Sequence, residues 1–244
     1  ALIECSFIGV PLAQHAEDKS LSQGGSVNRG FVSRSLNDIG IPNVSEYSIV
    51  KRDIDILRSV KNAHYHLLHV STKEAIDEIR IAKKQGLNVT CEVTPHHFKL
   101  NDSAVLLYGG MAKMNPPLRS EEDRLAIIEG LVDGTIDCIA TDHAPHEMES
   151  KCCSVGKALF GIVGMETLFP LSLELYHSGL MSINKLISKL TSAPAKVINK
   201  KVGLIKKGYP ADFAIVDLNA ENIINVKSFK SKSNNSPFDG LKLK

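Results

Sequence analysis

The sequence of 244 residues lacks tryptophan altogether and has few aromatic residues of any kind, 5% of the total. It also lacks a basic patch interleaved with aromatic side chains. The formal net charge is only +2, and its excess lies in the last 24 residues, which hold five lysines against two acidic side chains. These absences argue against nucleic-acid binding. We therefore expect a small-molecule partner.

Long apolar runs are absent as well. None approaches the ~20 residues that a membrane-spanning helix needs, and residues 1–9 carry no basic segment ahead of their short apolar stretch, so neither a span nor a signal peptide is predicted. The five cysteines are odd in number and form no C-x-x-C pair. This usage is typical of the reducing cytoplasm and predicts no disulfide.

What the sequence does contain is an alternation of short apolar runs with longer segments of helical period, in a chain that is 43% hydrophobic and 23% charged. Such alternation is typical of parallel strands joined by crossover helices, and the length fits a single α/β barrel. Being apolar on both faces, the runs suit strands buried between a barrel interior and an outer helical layer. The predicted strands are Val10–Ala16, Tyr65–Ser71, Asn88–Thr94 and Ile136–Thr141.

Helices are predicted where the period lengthens. Two of them open on a capping residue, Thr72 and Ser120. After Gly203 the character changes, and Asp212–Leu218 has the alternation of a strand. We therefore predict a main domain over residues 1–200 and a partial β subdomain with a tail over 201–244. The predicted helices are Thr72–Gln85, Ser120–Val132, Met165–His177, Ile183–Leu190 and Pro194–Asn199.

Polar ionisable residues lie at the ends of three predicted strands: His15, His69 and Asp142. In a parallel barrel the carboxyl ends of the strands form one rim, where barrel enzymes keep their active sites. Imidazole nitrogen and carboxylate oxygen are ligands that a zinc-type ion prefers. Taken singly, each histidine could be a hydrogen-bonded core residue, and Asp142 could cap a turn. His143 and His146 could be exposed loop residues, but a structural role does not require their clustering with Asp142.

Four other histidines are weaker candidates. We interpret His64 and His66 as structural, and His96 and His97 stay open between support for the ligands and loop packing. The polar loop 147–158 is either a mobile cover over the site or a solvated connector.

Six motifs together carry a resemblance to a known family. The sequence resembles the amidohydrolase superfamily, most closely its bacterial dihydroorotases of the longer, zinc-dependent type. The resemblance implies a TIM-type (β/α)8 barrel, of which this chain carries strands five to eight with their helices, and part of a small C-terminal β subdomain. The motifs are TDHAPH, HVSTKEA, EVTPHH, MNPPLRSEEDR, FGIVGMET and KKGYPADFAIVDL.

By the same resemblance, His15 and His69 hold the second of two metals. Asp142 binds the first metal and moves the proton, so that it is the expected catalytic residue. One or two Zn²⁺ ions per complete site are implied. A metal that activates water beside a carboxylate is suited to opening a cyclic amide.

The resemblance also implies substrate contacts. Asn115 resembles a residue that hydrogen-bonds the pyrimidine ring, and His146 one that contacts the substrate's carboxylate or ring. Phe160 and Gly161 resemble a loop whose backbone meets the substrate.

Two family features are missing from the sequence: a first strand with His-x-His-x-Arg, and an aspartate or carboxylated lysine that bridges the metals. An open parallel half-barrel would leave an unpaired edge. We therefore expect a piece of a longer, processed or split protein, or a chain that pairs with a second one. Taken literally, the chain would hold at most a partial, weakened site.

The function that the resemblance implies is the zinc-dependent interconversion of N-carbamoyl-L-aspartate and dihydroorotate in pyrimidine biosynthesis. Hydantoinases and allantoinases are the nearest alternatives, and Asn115 favours the first assignment over them. A non-catalytic homologue that partners a carbamoyltransferase is a further alternative, and a plain α/β binding module is the least favoured. A homo-oligomer is compatible with each of these.

Overall fold

A computed structural model describes residues 1–244 and has a four-stranded parallel sheet at its centre. The strands lie in the order β1-β2-β3-β4, with Leu12 opposite Tyr65 and Tyr65 opposite Val89. All four predicted strands are present, which confirms the α/β class, but each hydrogen-bonded ladder is shorter than the apolar run that predicted it. The strands are β1 Leu12–Gln14, β2 Tyr65–Leu67, β3 Val89–Val93 and β4 Cys138–Ile139.

Twelve α-helices surround the sheet, and none of them has the length and apolar character needed to cross a lipid bilayer. Two helices, Met165–His177 and Ile183–Leu190, have the predicted bounds. The helices are α1 Leu2–Ile8, α2 Lys19–Ser22, α3 Phe31–Ser35, α4 Val44–Leu57, α5 Lys73–Lys84, α6 Pro95–Lys99, α7 Ala104–Tyr108, α8 Glu121–Asp133, α9 Met148–Lys151, α10 Met165–His177, α11 Ile183–Leu190 and α12 Ser192–Val197, with 3₁₀ turns at Gly109–Ala112 and Val226–Ser228.

Both predicted capping residues begin their helices. The Thr72 hydroxyl accepts a hydrogen bond from the Ala75 amide at the start of α5. The Ser120 hydroxyl accepts from the Asp123 amide at the start of α8, whose first turn is acidic as the helix dipole favours. Each cap fixes where the chain leaves the strand-end loops and enters the helical layer.

The core lies between one face of the sheet and the helices α4, α5 and α8, which connect successive strands. Along β3 the burial alternates: Val89, Cys91 and Val93 are buried in this core, whereas Thr90 and Glu92 are only half-buried on the other face. Alternate residues of a strand point to opposite faces. The second face is therefore polar in its middle.

The prediction of a strand over Asp212–Leu218 is wrong. None of these residues takes part in a ladder, and the side chain of Ile215 is fully exposed. A strand needs a neighbour for its backbone N–H and C=O groups, and no other strand pairs with residues 212–218. The ladder of the C-terminal region is instead a short antiparallel pair, β5 Asn222–Ile223 with β6 Lys242–Leu243.

Residues 224–244 do not form a core of their own. Ile224, Val226 and Phe238 share a second apolar cluster with Met114 and Leu171 of the main body. The division into 1–200 and 201–244 stays a prediction, and this shared cluster brings the C-terminal segment close to the loops that follow β3 and β4.

Candidate active site

Two imidazoles meet where β1 and β2 end. His15 directly follows β1 and His69 lies two residues beyond β2. Nδ1 of His15 is 3.0 Å from Nε2 of His69, and the rings meet edge to face. The other nitrogen of His15 is 3.4 Å from the Glu17 carboxylate. Neighbouring parallel strands end at the same rim, so residues 54 positions apart in the sequence come into contact.

The His69 ring is buried with one nitrogen lacking a hydrogen-bond partner, which is unfavourable in free energy. Its side chain is almost fully enclosed, and Nδ1 has no hydrogen-bond partner. Burial lowers the pKa of His69 below its usual range, the negative charge of Asp142 opposes this, and the neighbouring His15 adds to it. A ring with a lowered pKa is neutral at physiological pH, and the neutral imidazole is the form that binds a metal.

Asp142 belongs to the same rim. It lies three residues after β4, and among the charges acting on His69 its carboxylate has the largest effect. Its backbone φ is 46° and that of His69 is 31°, both in the left-handed region that side-chain-bearing residues rarely adopt. Such strain is most often found at functional sites. The structure thus places two predicted site residues on strained backbone after the ends of β2 and β4, with β3 between these strands.

The donor set fits a zinc-type ion. Two nitrogens, each about 2.05 Å from a tetrahedral zinc ion, are about 3.3 Å apart. The facing nitrogens of His15 and His69 are 3.0 Å apart, close to that separation. The carboxylate oxygen of Asp142 is also a donor that such an ion accepts, but in this structure it does not lie within 4.8 Å of both imidazole nitrogens.

A buried carboxylate that sequence reasoning missed supports the His69 segment. Glu46 of α4 is buried and accepts hydrogen bonds from the backbone amides and hydroxyls of Ser71 and Thr72. Arg119, also buried, donates to the Ser71 hydroxyl at 3.1 Å. The turn after His69 is therefore held by charge-assisted hydrogen bonds from two distant parts of the chain. Nothing in the local sequence pattern marks Glu46 for this role.

Asn115 reaches the rim from the loop after β3. Its amide donates to the Glu17 carboxylate at 3.3 Å, so Glu17 links Asn115 to His15. Glu17, another residue that the sequence did not single out, has a pKa lowered below its usual range: burial acts to raise it, but hydrogen bonds from Ser22 and Asn115 outweigh burial.

His97, whose role the sequence left open, supports the Asn115 segment. It is fully buried, with Nδ1 at 2.7 Å from the Thr94 hydroxyl and Nε2 at 3.0 Å from the Pro116 carbonyl. A neutral ring satisfies both contacts, since Nε2–H donates to the carbonyl and Nδ1 accepts from the hydroxyl. His97 therefore ties the end of β3 to the residue that follows Asn115.

His146 contacts the predicted substrate loop directly. Its Nε2 is 2.7 Å from the Phe160 carbonyl oxygen, and its backbone amide donates to Asn235. Gly161 has φ of 104°, and a Cβ at this position would lie 2.5 Å from the Ala144 side chain. Only glycine fits there. The structure thus brings His146, Phe160 and Gly161 together, and the buried Asn235, missed in the sequence, joins them from the C-terminal segment.

A second cluster of possible metal ligands lies below the rim, on the polar face of the sheet. Ligand atoms of His66, Glu92 and Cys138 all lie within 4.8 Å of one another. However, the His66 ring already has a partner on each side: Nδ1 is 2.8 Å from the Thr90 hydroxyl and Nε2 is 3.2 Å from the Glu92 carboxylate. Burial, the largest influence, and the nearby Glu92 raise the pKa of the Cys138 thiol, which disfavours the thiolate that metals bind. These contacts support the structural interpretation of His66.

Comparison with known proteins gives one family. Residues 4–243 match the model of the amidohydrolase family. The chain is 59% identical over 237 residues to a dihydroorotase of Anaplasma phagocytophilum (strain HZ), covering 97% of this chain and 53% of that protein. It is 56% identical over 244 residues to a dihydroorotase of Wolbachia sp. subsp. Drosophila simulans (strain wRi), covering 100% of this chain and 55% of that protein. The chain spans about half the length of the curated relatives it matches.

Solved structures give the same fold. An L-hydantoinase (dihydropyrimidinase) from Arthrobacter aurescens superimposes with a TM-score of 0.89 at 26% identity, over 99% of this chain and 55% of that one. A dihydropyrimidinase from Brevibacillus agri NCHU1002 superimposes with a TM-score of 0.87 at 22% identity, again over 99% of this chain and 55% of that one.

Proposed function

The chain belongs to the amidohydrolase family, and we propose that it supplies strands five to eight of a (β/α)8 barrel whose reaction is the interconversion of dihydroorotate and N-carbamoyl-L-aspartate. The observation that carries the proposal is the 3.0 Å separation of the facing nitrogens of His15 and His69. The family resemblance suggested these two residues as ligands, and this separation suits two ligands of one metal ion. Identities of 46–59% to proteins named dihydroorotase support the choice of substrate.

In this proposal His15 and His69 hold a zinc ion, with Asp142 beside them. The ion, when bound, supplies polarisation of the amide carbonyl and activation of the attacking water. Asp142 accepts a proton from that water and passes it to the ring nitrogen as the carbon–nitrogen bond breaks. Water adds its oxygen to the carbonyl carbon and one hydrogen to the ring nitrogen, so ring opening gives a carbamoyl NH2 group and a carboxylic acid, which ionises by releasing one proton to solvent.

Substrate orientation falls to the groups around the rim. We assign Asn115 to the ring's polar edge, His146 to the carboxylate or ring, and the backbone of Phe160 and Gly161 to the face opposite the metal ligands. Glu17 keeps the Asn115 amide in place through its 3.3 Å hydrogen bond. The five cysteines are all free, which suits a cytoplasmic enzyme.

Hydantoinases are the competing assignment, because they share the fold. Their identity to this chain is 26% or less among the superimposed structures, against 46% or more for the proteins named dihydroorotase. Since fold alone does not fix substrate, the higher sequence identity supports dihydroorotate.

The test is a comparison of substrates on the polypeptide as the cell makes it, with its metal content measured by elemental emission. We expect kcat/KM for dihydroorotate to exceed that for hydantoin by at least about 100-fold, since groups built to pair with a substrate carboxylate are left unpaired by a ring that lacks it. Asn115→Ala should lower kcat/KM for dihydroorotate, and His177→Ala, remote on α10, serves as the matched control. Preference for hydantoin, or undiminished turnover by the metal-free protein, would contradict the proposal.

A further inference from the structure

One lysine of the loop over the rim is buried without an acidic partner. Lys151 ends α9 and its side chain is 1% exposed. Its ammonium donates three hydrogen bonds, to the backbone carbonyls of Lys113 at 3.1 Å, Leu159 at 2.6 Å and Gly161 at 2.8 Å. An ammonium has three N–H groups, so its donors are fully used. The loop 147–158 is therefore anchored at Lys151, although most of its other residues are exposed.

Burying the charged ammonium of Lys151 is unfavourable in free energy. Burial, and then the positive charge of Lys113, lower the pKa of Lys151 to about 8. A buried cation without a carboxylate is expensive unless dipoles replace its water. The three carbonyls do so here, and all three belong to segments that carry or flank predicted substrate contacts.

These carbonyls determine the direction of one backbone donor. The Leu159 carbonyl and the Phe160 N–H belong to the same peptide plane, and in a trans peptide the two groups point in opposite directions. Because the carbonyl is turned onto Lys151, the Phe160 N–H is turned away from it. That N–H donates to no backbone acceptor.

The neighbouring groups of the loop already have partners. The Phe160 carbonyl contacts His146 at 2.7 Å, and the Gly161 amide donates to the Lys113 carbonyl at 2.9 Å. The Lys113 ammonium lies 4.4 Å from the centre of the Phe160 ring. The Phe160 N–H is therefore the free polar group of an otherwise satisfied turn, next to His146.

We propose that Lys151 is a positioning residue: its ammonium holds the Leu159 and Gly161 carbonyls by hydrogen bonds, and this orients the Phe160 N–H towards the substrate. This inference rests on the proposed function, since it needs a substrate with a hydrogen-bond acceptor at the rim. Lys151 itself does not touch the substrate.

The test compares Lys151→Met with Lys157→Met, a matched loss of an exposed lysine from the same loop. For Lys151→Met in the polypeptide as the cell makes it, KM for dihydroorotate should rise roughly tenfold while kcat stays within about threefold, because an interaction made equally in ground and transition states is lost. Lys157→Met should change neither. An unchanged KM in folded Lys151→Met, or a fall confined to kcat, would overturn the proposal.

Hydrogen exchange separates this inference from the proposed function. Amides of residues 158–163 should exchange faster in Lys151→Met than in wild type and Lys157→Met, whether or not dihydroorotate is turned over. Equal exchange in all three proteins would overturn the positioning role of Lys151. Faster exchange in Lys151→Met, together with a wild type that does not turn over dihydroorotate, would refute only the proposed substrate. If Lys151→Met does not fold, Lys151→Gln decides: its two N–H donors should give a smaller rise in KM, and no rise would overturn the proposal.

Discussion

Two buried histidines near the carboxyl end of β2 make a natural comparison. His66 lies in the strand and has a partner for each ring nitrogen, Thr90 and Glu92. His69 lies three residues later, is equally buried, and leaves Nδ1 without any partner. An unsatisfied buried group costs about 1–3 kcal/mol. The first arrangement therefore stabilises the fold, whereas the second is tolerated for another purpose.

The backbone around these residues differs in the same way. His66 is in regular parallel pairing with Thr90, whereas His69 adopts a positive φ. The turn that follows His69 is held by the Glu46 carboxylate. Strain at the rim is thus maintained by hydrogen bonds from outside it, as expected where ligand geometry takes precedence over local stability.

The largest expected effect tests the rim itself. Asp142→Asn removes the proposed proton carrier while keeping the size of the side chain, so kcat for dihydroorotate should fall by at least about 10³-fold, within the range known for general acid–base groups. Steady-state kinetics at saturating substrate measure this. Retention of a tenth or more of the wild-type kcat would remove Asp142 from the reaction.

The next prediction distinguishes the roles of His69 and His66 by measuring metal content. His69→Ala should lose about one metal equivalent per chain, as measured by elemental emission after exchange against zinc, because a ligand facing the ion at two-nitrogen spacing is gone.

His66→Ala is the matched control for that substitution. It should keep the metal. It should instead lower the free energy of unfolding, measured without metal, by about 1–3 kcal/mol more than His69→Ala does, because Thr90 and Glu92 lose their hydrogen-bond partner. Metal loss in His66→Ala with full metal content in His69→Ala would show that His66, and not His69, is the metal ligand.

A third prediction concerns pH and the support behind the rim. Burial, the largest influence, lowers the pKa of His97 from its usual 6.5 to about 3, although the Pro116 carbonyl opposes the shift. The unfolded chain therefore binds a proton at this residue between about pH 6.5 and 3 that the folded chain excludes. Stability is complete above pH 6.5 and is lost as the pH falls, by up to about 1.4 kcal/mol per pH unit.

His97→Asn removes this group from the titration. The slope of unfolding free energy against pH between about 6 and 4 should become smaller by up to about 1.4 kcal/mol per pH unit, as judged by urea denaturation at a series of pH values. The buried His96, whose pKa burial also lowers well below its usual value, should keep part of the slope. An unchanged slope would show that His97 is not buried neutral.

The smallest effect is expected from Thr90→Val. The Thr90 hydroxyl lies between two rings, 2.7 Å from Nε2 of His64 and 2.8 Å from Nδ1 of His66. Its loss should cost about 1 kcal/mol of unfolding free energy and leave metal content and kcat unchanged. A change in metal content would show that the network below the rim is part of the site.

The parts of the molecule that could be predicted from sequence are those fixed by local pattern or by topology. Apolar runs located the four strands, and capping residues located α5 and α8. The meeting of His15 and His69 followed from topology alone, because parallel strands place their ends on one rim. Their proposed roles as ligands stay a prediction.

The remainder depends on long-range packing that no short pattern encodes. Glu46, Asn235 and Lys151 make contacts with residues 8 to 91 positions away along the chain. Each resembles an ordinary surface residue in the sequence until the fold encloses it. The wrong strand over residues 212–218 has the converse cause: its alternation was correct for a strand, but no neighbouring strand is there to pair with it.

The shared hydroxyl of Thr90 fixes the tautomers of the rings beside it. Glu92 accepts, so the Nε2 of His66 must carry hydrogen and its Nδ1 must be bare. Thr90 then gives its single hydrogen to that bare nitrogen and accepts from Nε2 of His64, whose pKa burial lowers. Every donor along this row of side chains then points the same way, from His64 towards Glu92, so the hydrogen bonds of the polar face run in one direction and end in a carboxylate beneath the proposed metal ligands.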